Sequence, residues 1–107
     1  MNQQVLHTED EFNNLLKTHE EFFVLKHSLT CPISAGAKNE YEKFQSSTSV
    51  PCYILHVQEA RQLSNNIAKE FQVRHESPQV LLFKNGHVVW NDSHGSITQS
   101  RLKTLVE

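Results

Sequence analysis

An Asn-Gly step at positions 85 and 86 constrains the fold of this chain more than any other feature of its sequence. It lies between two apolar runs, Val-Leu-Leu-Phe at residues 80–83 and Val-Val-Trp at residues 88–90. A type I′ turn needs positive φ at both central residues, which Asn and Gly tolerate, and its twist matches that of two antiparallel strands. Residues 80–90 are therefore predicted to form a β-hairpin.

The sequence before this hairpin alternates between helical and strand patterns. Thr8-Glu9-Asp10-Glu11 has the spacing of a capping box and predicts a first helix roughly from Glu9 to Thr18. The apolar runs at residues 22–25 and 52–57 are typical of buried strands, the first continuing toward His27. Each strand is followed by apolar residues at helical spacing: Ile33, Ala37, Tyr41 and Phe44, then Ala60, Leu63, Ile67 and Phe71.

A closing helix is predicted after Thr98, which can cap it, with Ile97 and Leu102 spaced as a hydrophobic staple. A strand-helix-strand connection implies that the two strands are parallel and joined by a right-handed crossover. The hairpin then adds a pair of antiparallel strands to the same sheet. The predicted class is α/β, with a central mixed sheet, helices on both faces and the order (β)αβαβαββα. This order is that of the thioredoxin fold, and residues 1–107 are expected to form a single domain.

Charge and composition narrow the classes of partner. A formal net charge of −2 gives no electrostatic reason to expect nucleic acid or an anionic membrane. Residues 1–4 carry no basic segment followed by an apolar run, and no stretch of about 18 apolar residues occurs, so a cytoplasmic protein is expected. The seven histidines show no H-x-H or H-x-x-x-H spacing, and no metal site is predicted.

Cys31 lies just past the end of a predicted strand and at the start of a predicted helix, where parallel α/β sheets place their sites. Pro32 suits the first helical position, which makes Cys31 the N-cap. The backbone N–H groups of Ile33 or Ser34 and the positive helix end would lower the pKa of the thiol, and the Ser34 hydroxyl could also donate to the sulfur. The alternative is a buried structural cysteine that happens to precede a proline.

Cys52 begins its predicted strand, at the sheet edge opposite Cys31. A strand of five or six residues spans roughly 17 Å, whereas a disulfide needs Cα atoms within about 7 Å. Cys52 is therefore predicted to be a small buried hydrophobe. The expected chemistry is monothiol: Cys31 attacks a mixed disulfide and takes over its small-thiol half, and a thiol from solution must then release it.

Two segments carry a family resemblance. Cys31-Pro32-Ile33-Ser34 resembles the C-x-x-C motif of the thioredoxin superfamily with Ser34 replacing the second cysteine, and Ser77-Pro78 resembles its cis-proline loop. Lys26-His27-Ser28 followed by Thr-Cys-Pro-Ile-Ser at residues 30–34 resembles the monothiol bacilliredoxin-like proteins of the YtxJ type, the bacillithiol-system redox proteins. This resemblance implies removal of bacillithiol from S-bacillithiolated proteins, with Cys31 attacking, bacillithiol as co-substrate and no bound cofactor. Separately, the chain is expected to be a monomer.

The resemblance also implies roles for residues around Cys31. Pro78 would be cis, leaving the Ser77 N–H and C=O to pair with an extended substrate; the alternative is a trans proline that starts a strand. Backbone amides at Gly95 and Ser96 would hold the small thiol. Thr30, which stands where thioredoxins usually have tryptophan, is expected to face the substrate.

Lys26 has two interpretations. It could place a positive charge near the thiol, where it would favour the thiolate and attract the carboxylates of bacillithiol, or it could be an exposed lysine at a strand end. His27 is interpreted as a surface histidine.

Two other functions fit the same sequence. One is an iron-sulfur or metal carrier of the monothiol glutaredoxin kind, although the glycine-phenylalanine pair that follows the cysteine in those carriers is absent. The other is a non-catalytic thioredoxin-like adaptor that uses the cis-proline groove for binding. The strand ending Val24-Leu25-Lys26 offers no counterpart to the buried acid of thioredoxins, which disfavours a general dithiol reductase.

Overall fold

A mixed β-sheet forms the centre of the structure, a computed structural model that describes residues 4–106. Within that range the strands are β1 (Gln4–Val5), β2 (Glu21–His27), β3 (Cys52–His56), β4 (Gln79–Lys84) and β5 (His87–Ser93). Their spatial order is β1-β3-β2-β4-β5; β3 is parallel to both β1 and β2, whereas β4 is antiparallel to β2 and β5. The predicted α/β class with a mixed sheet is confirmed.

Helices cover both faces of this sheet: α1 (Glu9–Thr18), α2 (Pro32–Gln45), α3 (Arg61–Phe71) and α4 (Gln99–Val106). The predicted capping box begins α1, since Glu11 N–H donates to Thr8 Oγ1 at 3.2 Å and Thr8 N–H donates to the Glu11 carboxylate at 3.1 Å. Thr98 caps α4 by accepting a hydrogen bond from the Arg101 N–H at 3.2 Å. None of the helices within residues 4–106 is long and apolar enough to cross a membrane.

The β4–β5 hairpin turns at Asn85 and Gly86, with φ of 53° and 80°, as a type I′ turn requires. β5 is longer than the predicted residues 88–90, and its register shifts: Leu82 pairs with Trp90, but Phe83 pairs with Val88. The extra residue, Val89, is a β-bulge and is exposed. Because of the bulge, Val88 packs toward one face of the sheet and Trp90 toward the other.

Two apolar cores enclose the sheet. One lies under α1 and α3, and the other lies under α2 and α4. β2 is the central strand, and its residues contribute alternately to the two cores, so that every residue from 22 to 27 is buried. The core under α1 and α3 includes Phe12, Phe22, Val24, Leu63, Ile67 and Phe83. The core under α2 and α4 includes Phe23, Leu25, Ala37, Tyr41, Phe44 and Leu102.

Strand register brings distant segments to one edge of the sheet. His27 pairs with His56 where β2 and β3 end, and Gln79, the first residue of β4, pairs with Lys26 on one side and Ser93 on the other. We call this the Cys31 edge; the segments that adjoin it are residues 28–31, 57–58, 77–78 and 94–96.

Candidate active site

Cys31 is the N-cap of α2, with extended backbone (φ −100°, ψ 121°) and Pro32 as the first helical residue. Its side chain is partly exposed. The backbone N–H of Ser34, then that of Ile33, and then the Ser34 hydroxyl hold the pKa of the Cys31 thiol below its ordinary value. Among the described residues, no N–H group makes a capping hydrogen bond to the Cys31 sulfur. The thiolate is therefore favoured by the nearby N–H dipoles together rather than by a single direct hydrogen bond.

Ser34 joins the first turn of α2 to the loop after β2. Its side chain is fully buried, and its Oγ accepts a hydrogen bond from the Ser28 N–H at 3.2 Å. Because Oγ acts as an acceptor in that contact, its own proton is free to point toward Cys31 Sγ. Ser34 thus contributes to the site both through its amide and by fixing the loop that precedes Cys31.

The proline loop and the segment before α4 meet at the Cys31 edge. The Ser77–Pro78 peptide bond is cis. The Pro78 carbonyl accepts a hydrogen bond from the His94 N–H at 3.0 Å, which ties this loop to a single 3₁₀ turn at His94–Ser96. Thr30, Gly95 and Ser96 are exposed. The structure therefore brings the predicted substrate-binding segments to the same edge as Cys31.

Cys52 lies at the opposite end of the sheet. It pairs with Phe23, whereas the residues leading to Cys31 follow His27 at the far end of β2. Its side chain is buried, Sγ donates to the Val50 carbonyl at 3.4 Å, and burial raises the pKa of the thiol to about 12. The predicted separation of the two cysteines and the burial of Cys52 are both confirmed.

Comparison with known proteins identifies the family. The sequence matches the family described as monothiol bacilliredoxin BrxC over residues 4–102. The chain belongs to the monothiol bacilliredoxin family. A solved structure of a provisionally assigned oxidoreductase with a thioredoxin fold is 44% identical, with a TM-score of 0.92. That match covers 98% of this chain and 94% of the other.

More distant structures share the fold of this bacilliredoxin-family chain. Thioredoxin from Plasmodium falciparum is 18% identical, with a TM-score of 0.76 and coverage of 95% of this chain and 94% of the other. A single-substitution variant of thioredoxin from Halobacterium salinarum is 19% identical, with a TM-score of 0.79 and coverage of 99% and 88%. The predicted thioredoxin-like fold is confirmed.

Lys26 is a buried residue in this bacilliredoxin-family chain. Alternation along β2 turns its side chain toward α3, on the face of the sheet opposite α2, and it is fully buried. Its Nζ donates to the Ser64 carbonyl at 3.0 Å and lies 3.3 Å from His75 Nδ1. The exposed-lysine interpretation is wrong. The effect of Lys26 on the Cys31 thiolate stays a prediction, and the amides of Ser34 and Ile33 in α2 lower the pKa of Cys31.

Removal of the buried Lys26 charge is expected to stabilise the protein. Burial lowers the pKa of Lys26 to about 8 from 10.5, so between these pH values the unfolded chain binds more protons and stability rises with pH. Lys26→Met should increase the free energy of unfolding at pH 7 by about 2 kcal/mol. Urea titrations at pH 7, 8, 9 and 10 should show the advantage of the variant over wild type shrinking above about pH 8.

The matched control is Lys84→Met, which removes an exposed lysine at the end of β4. It should change the free energy of unfolding by less than about 0.5 kcal/mol. A Lys26→Met advantage that stays constant from pH 7 to 10, or that the control reproduces, would contradict the assignment of a buried, destabilising cation.

Two histidines lie beneath the start of α2, a feature that the sequence interpretation missed. His27 is buried rather than on the surface, and its ring centroid is 5.3 Å from that of His56. Within residues 4–106, Nδ1 of each ring is buried without a hydrogen-bond partner. Burial lowers the pKa of both imidazoles, so each favours its neutral form. The signal that could have predicted this pair is the register between β2 and β3, in which His27 lies beside His56. Using that signal requires the residue alignment of both strands.

Exposed apolar side chains flank Cys31 and also escaped sequence analysis. Leu29 is 50% exposed and Ile33 is 55% exposed. Helical spacing assigned Ile33 to the buried stripe of α2, but the stripe begins at Ser34 and continues through Ala37, Tyr41 and Phe44. Within the first turn of α2, Ser34 therefore faces the interior, whereas Ile33 faces solvent.

The lowered pKa of Cys31 predicts its alkylation behaviour. The rate of reaction with iodoacetamide should reach half its maximum at a lower pH in the folded protein than in a peptide of residues 28–35, which lacks the stable α2 dipole. Intact-mass spectrometry should show one adduct, because Cys52 is buried with a pKa of about 12. Coincident pH midpoints for protein and peptide would show that α2 does not activate the thiol.

Proposed function

We propose that this protein is a monothiol oxidoreductase that removes bacillithiol from S-bacillithiolated protein cysteines. The observation that carries the proposal is Cys31 itself, a partly exposed thiol whose pKa is lowered by the α2 amides and whose potential partner, Cys52, lies at the far end of the sheet. A thiolate with these properties attacks disulfides but cannot form an intramolecular disulfide.

The proposed reaction is a thiol-disulfide exchange. The Cys31 thiolate attacks the bacillithiol sulfur of the mixed disulfide, the new S–S bond joins Cys31 to bacillithiol, and the client cysteine leaves as a thiolate that takes a proton from solvent. No electrons are gained or lost overall. A second thiol from solution then attacks the Cys31 adduct, forms a disulfide with bacillithiol and regenerates the Cys31 thiolate.

The segments at the Cys31 edge supply the proposed binding contacts. An extended client segment would pair with the Ser77 N–H and C=O beside the cis bond, as in strand addition. Amides of the turn that contains Gly95 and Ser96 would contact the small thiol. Support for this arrangement comes from the hydrogen bond between His94 and Pro78, which holds the two segments together.

The test follows the small-thiol label by intact-mass spectrometry. A client protein carrying a bacillithiol mixed disulfide, and the same client carrying a glutathione mixed disulfide, are incubated separately with this protein at pH 7. We expect the bacillithiol mass to appear on Cys31 and disappear from the client. Equal rates with both labels would refute specificity for bacillithiol, and absence of transfer from either would refute the proposed enzymatic activity.

The two other functions have different signatures. An adaptor does not need an activated thiol, so the lowered pKa of Cys31 favours the exchange reaction. In the part of the chain that the structure describes, no three His, Cys, Asp or Glu side chains form a group able to hold a metal ion. A cluster carrier would therefore need Cys31 from two copies of the chain, and visible absorbance in the purified protein would reveal it.

A further inference from the structure

Gln58 contacts the loop that leads to Cys31. It is an exposed residue in the connection between β3 and α3, far from residues 28–30 in sequence. Its Oε1 accepts a hydrogen bond from the Leu29 N–H at 3.0 Å, and its Nε2 donates to Ser28 Oγ at 2.8 Å and to Thr30 Oγ1 at 3.4 Å. One side chain thus contacts three consecutive residues immediately before Cys31.

The backbone determines the orientation of this amide. Leu29 N–H can only donate, so it requires the Gln58 oxygen rather than the NH₂ group opposite it. The NH₂ group then faces two hydroxyl oxygens, both of which can accept. A flipped amide would place two donors together, and the contacts are therefore mutually consistent.

The loop is held from two directions. Ser34, from α2, accepts the hydrogen bond of the Ser28 N–H at 3.2 Å, while Gln58 binds the loop from the β3 side. Residues 28–30 form no helix or strand, so hydrogen bonds from side chains take the place of regular secondary structure. Cys31 is the next residue, and the position of its sulfur relative to the α2 amides depends on where this loop ends.

We propose that Gln58 is a positioning residue for Cys31, holding residues 28–30 so that the sulfur stays against the amides of Ile33 and Ser34. The relevance of this role to thiol transfer rests on the proposed function, but the effect of Gln58 on Cys31 reactivity does not. Methionine is the informative replacement because it has similar length and no hydrogen-bonding amide.

The experiment compares Gln58→Met with wild type by the pH dependence of Cys31 alkylation and by the rate of bacillithiol transfer at pH 7. We expect the alkylation midpoint to move to higher pH in the variant and transfer to slow about threefold to tenfold, as loss of a few surface hydrogen bonds allows. The thermal unfolding midpoint should change little, because Gln58 is exposed and lies outside both cores.

Gln62→Met is the matched control. Gln62 is an exposed glutamine on α3 whose side chain makes no hydrogen bond to any of the described residues. Its variant should reproduce the wild-type pH dependence. If Gln58→Met has the same alkylation midpoint as wild type and Gln62→Met, the positioning role is wrong. If wild type fails to transfer bacillithiol, the proposed function fails, while the alkylation comparison still decides the role of Gln58.

Discussion

Cys31→Ala is expected to reduce the rate of bacillithiol transfer by about a thousandfold or more, to the uncatalysed level. The replacement removes the sulfur that forms the new S–S bond, and the described structure offers no second thiol at the Cys31 edge, since Cys52 lies at the opposite end of β3. Intact-mass spectrometry of the client gives the rate directly, because the bacillithiol mass disappears from it.

Cys52→Ala makes the same chemical change at the other cysteine. Its expected transfer rate is within about twofold of wild type, because Cys52 is a buried core residue whose pKa of about 12 keeps it protonated. The protein should lose about 1 kcal/mol of stability from the truncated core contact. A Cys52→Ala variant that lost transfer while remaining folded would require a dithiol mechanism, and residual transfer by Cys31→Ala would place the nucleophile elsewhere.

Phe22→Ala is expected to lower the free energy of unfolding by about 3–5 kcal/mol. Phe22 is 1% exposed and lies in β2, which carries the loop to Cys31. Its ring stacks on Phe83 at a centroid distance of 4.9 Å and meets Phe12 edge to face at 6.2 Å. Truncation removes both contacts and leaves a cavity between two helices and the sheet.

Urea unfolding at pH 7, followed by circular dichroism, measures this loss. The comparison is Phe71→Ala, since Phe71 is only half-buried at the margin of the same aromatic cluster, with its ring 5.1 Å from that of Phe83. Phe71→Ala should cost less than Phe22→Ala because water can reach the vacated space. A cost below about 2 kcal/mol for Phe22→Ala would show that β2 is not the tightly packed centre of the fold.

Local signals in the sequence predicted much of this structure. The Asn85-Gly86 turn depends on φ preferences of two residues, and the start of α1 depends on contacts between residues three apart, so neither needs knowledge of the rest of the chain. The N-cap position of Cys31 was predictable for the same reason. The separation of Cys31 from Cys52 was predicted from the topology, because β2 and β3 are parallel and each residue's place along its strand determines the end of the sheet at which it lies.

The features that sequence analysis missed depend on contacts between distant residues. In a strand that is buried on both faces, a polar residue does not indicate an exposed position. The burial of Lys26 depends on contacts with Ser64 and His75, which are 38 and 49 positions away in the sequence. The contacts of Gln58 likewise join segments 28 to 30 positions apart. The length of β5 escaped prediction because the bulge at Val89 interrupts the alternation by which strands are recognised.

The same bulge has a consequence for association between molecules. β5 is the last strand in the order of the described sheet, so one side of its backbone has no neighbouring strand there. A flat row of free N–H and C=O groups is a template onto which another chain can add a strand, and such growth leads to aggregation. The extra residue at Val89 twists and interrupts that row, and it thereby disfavours edge-to-edge stacking of these molecules into fibres.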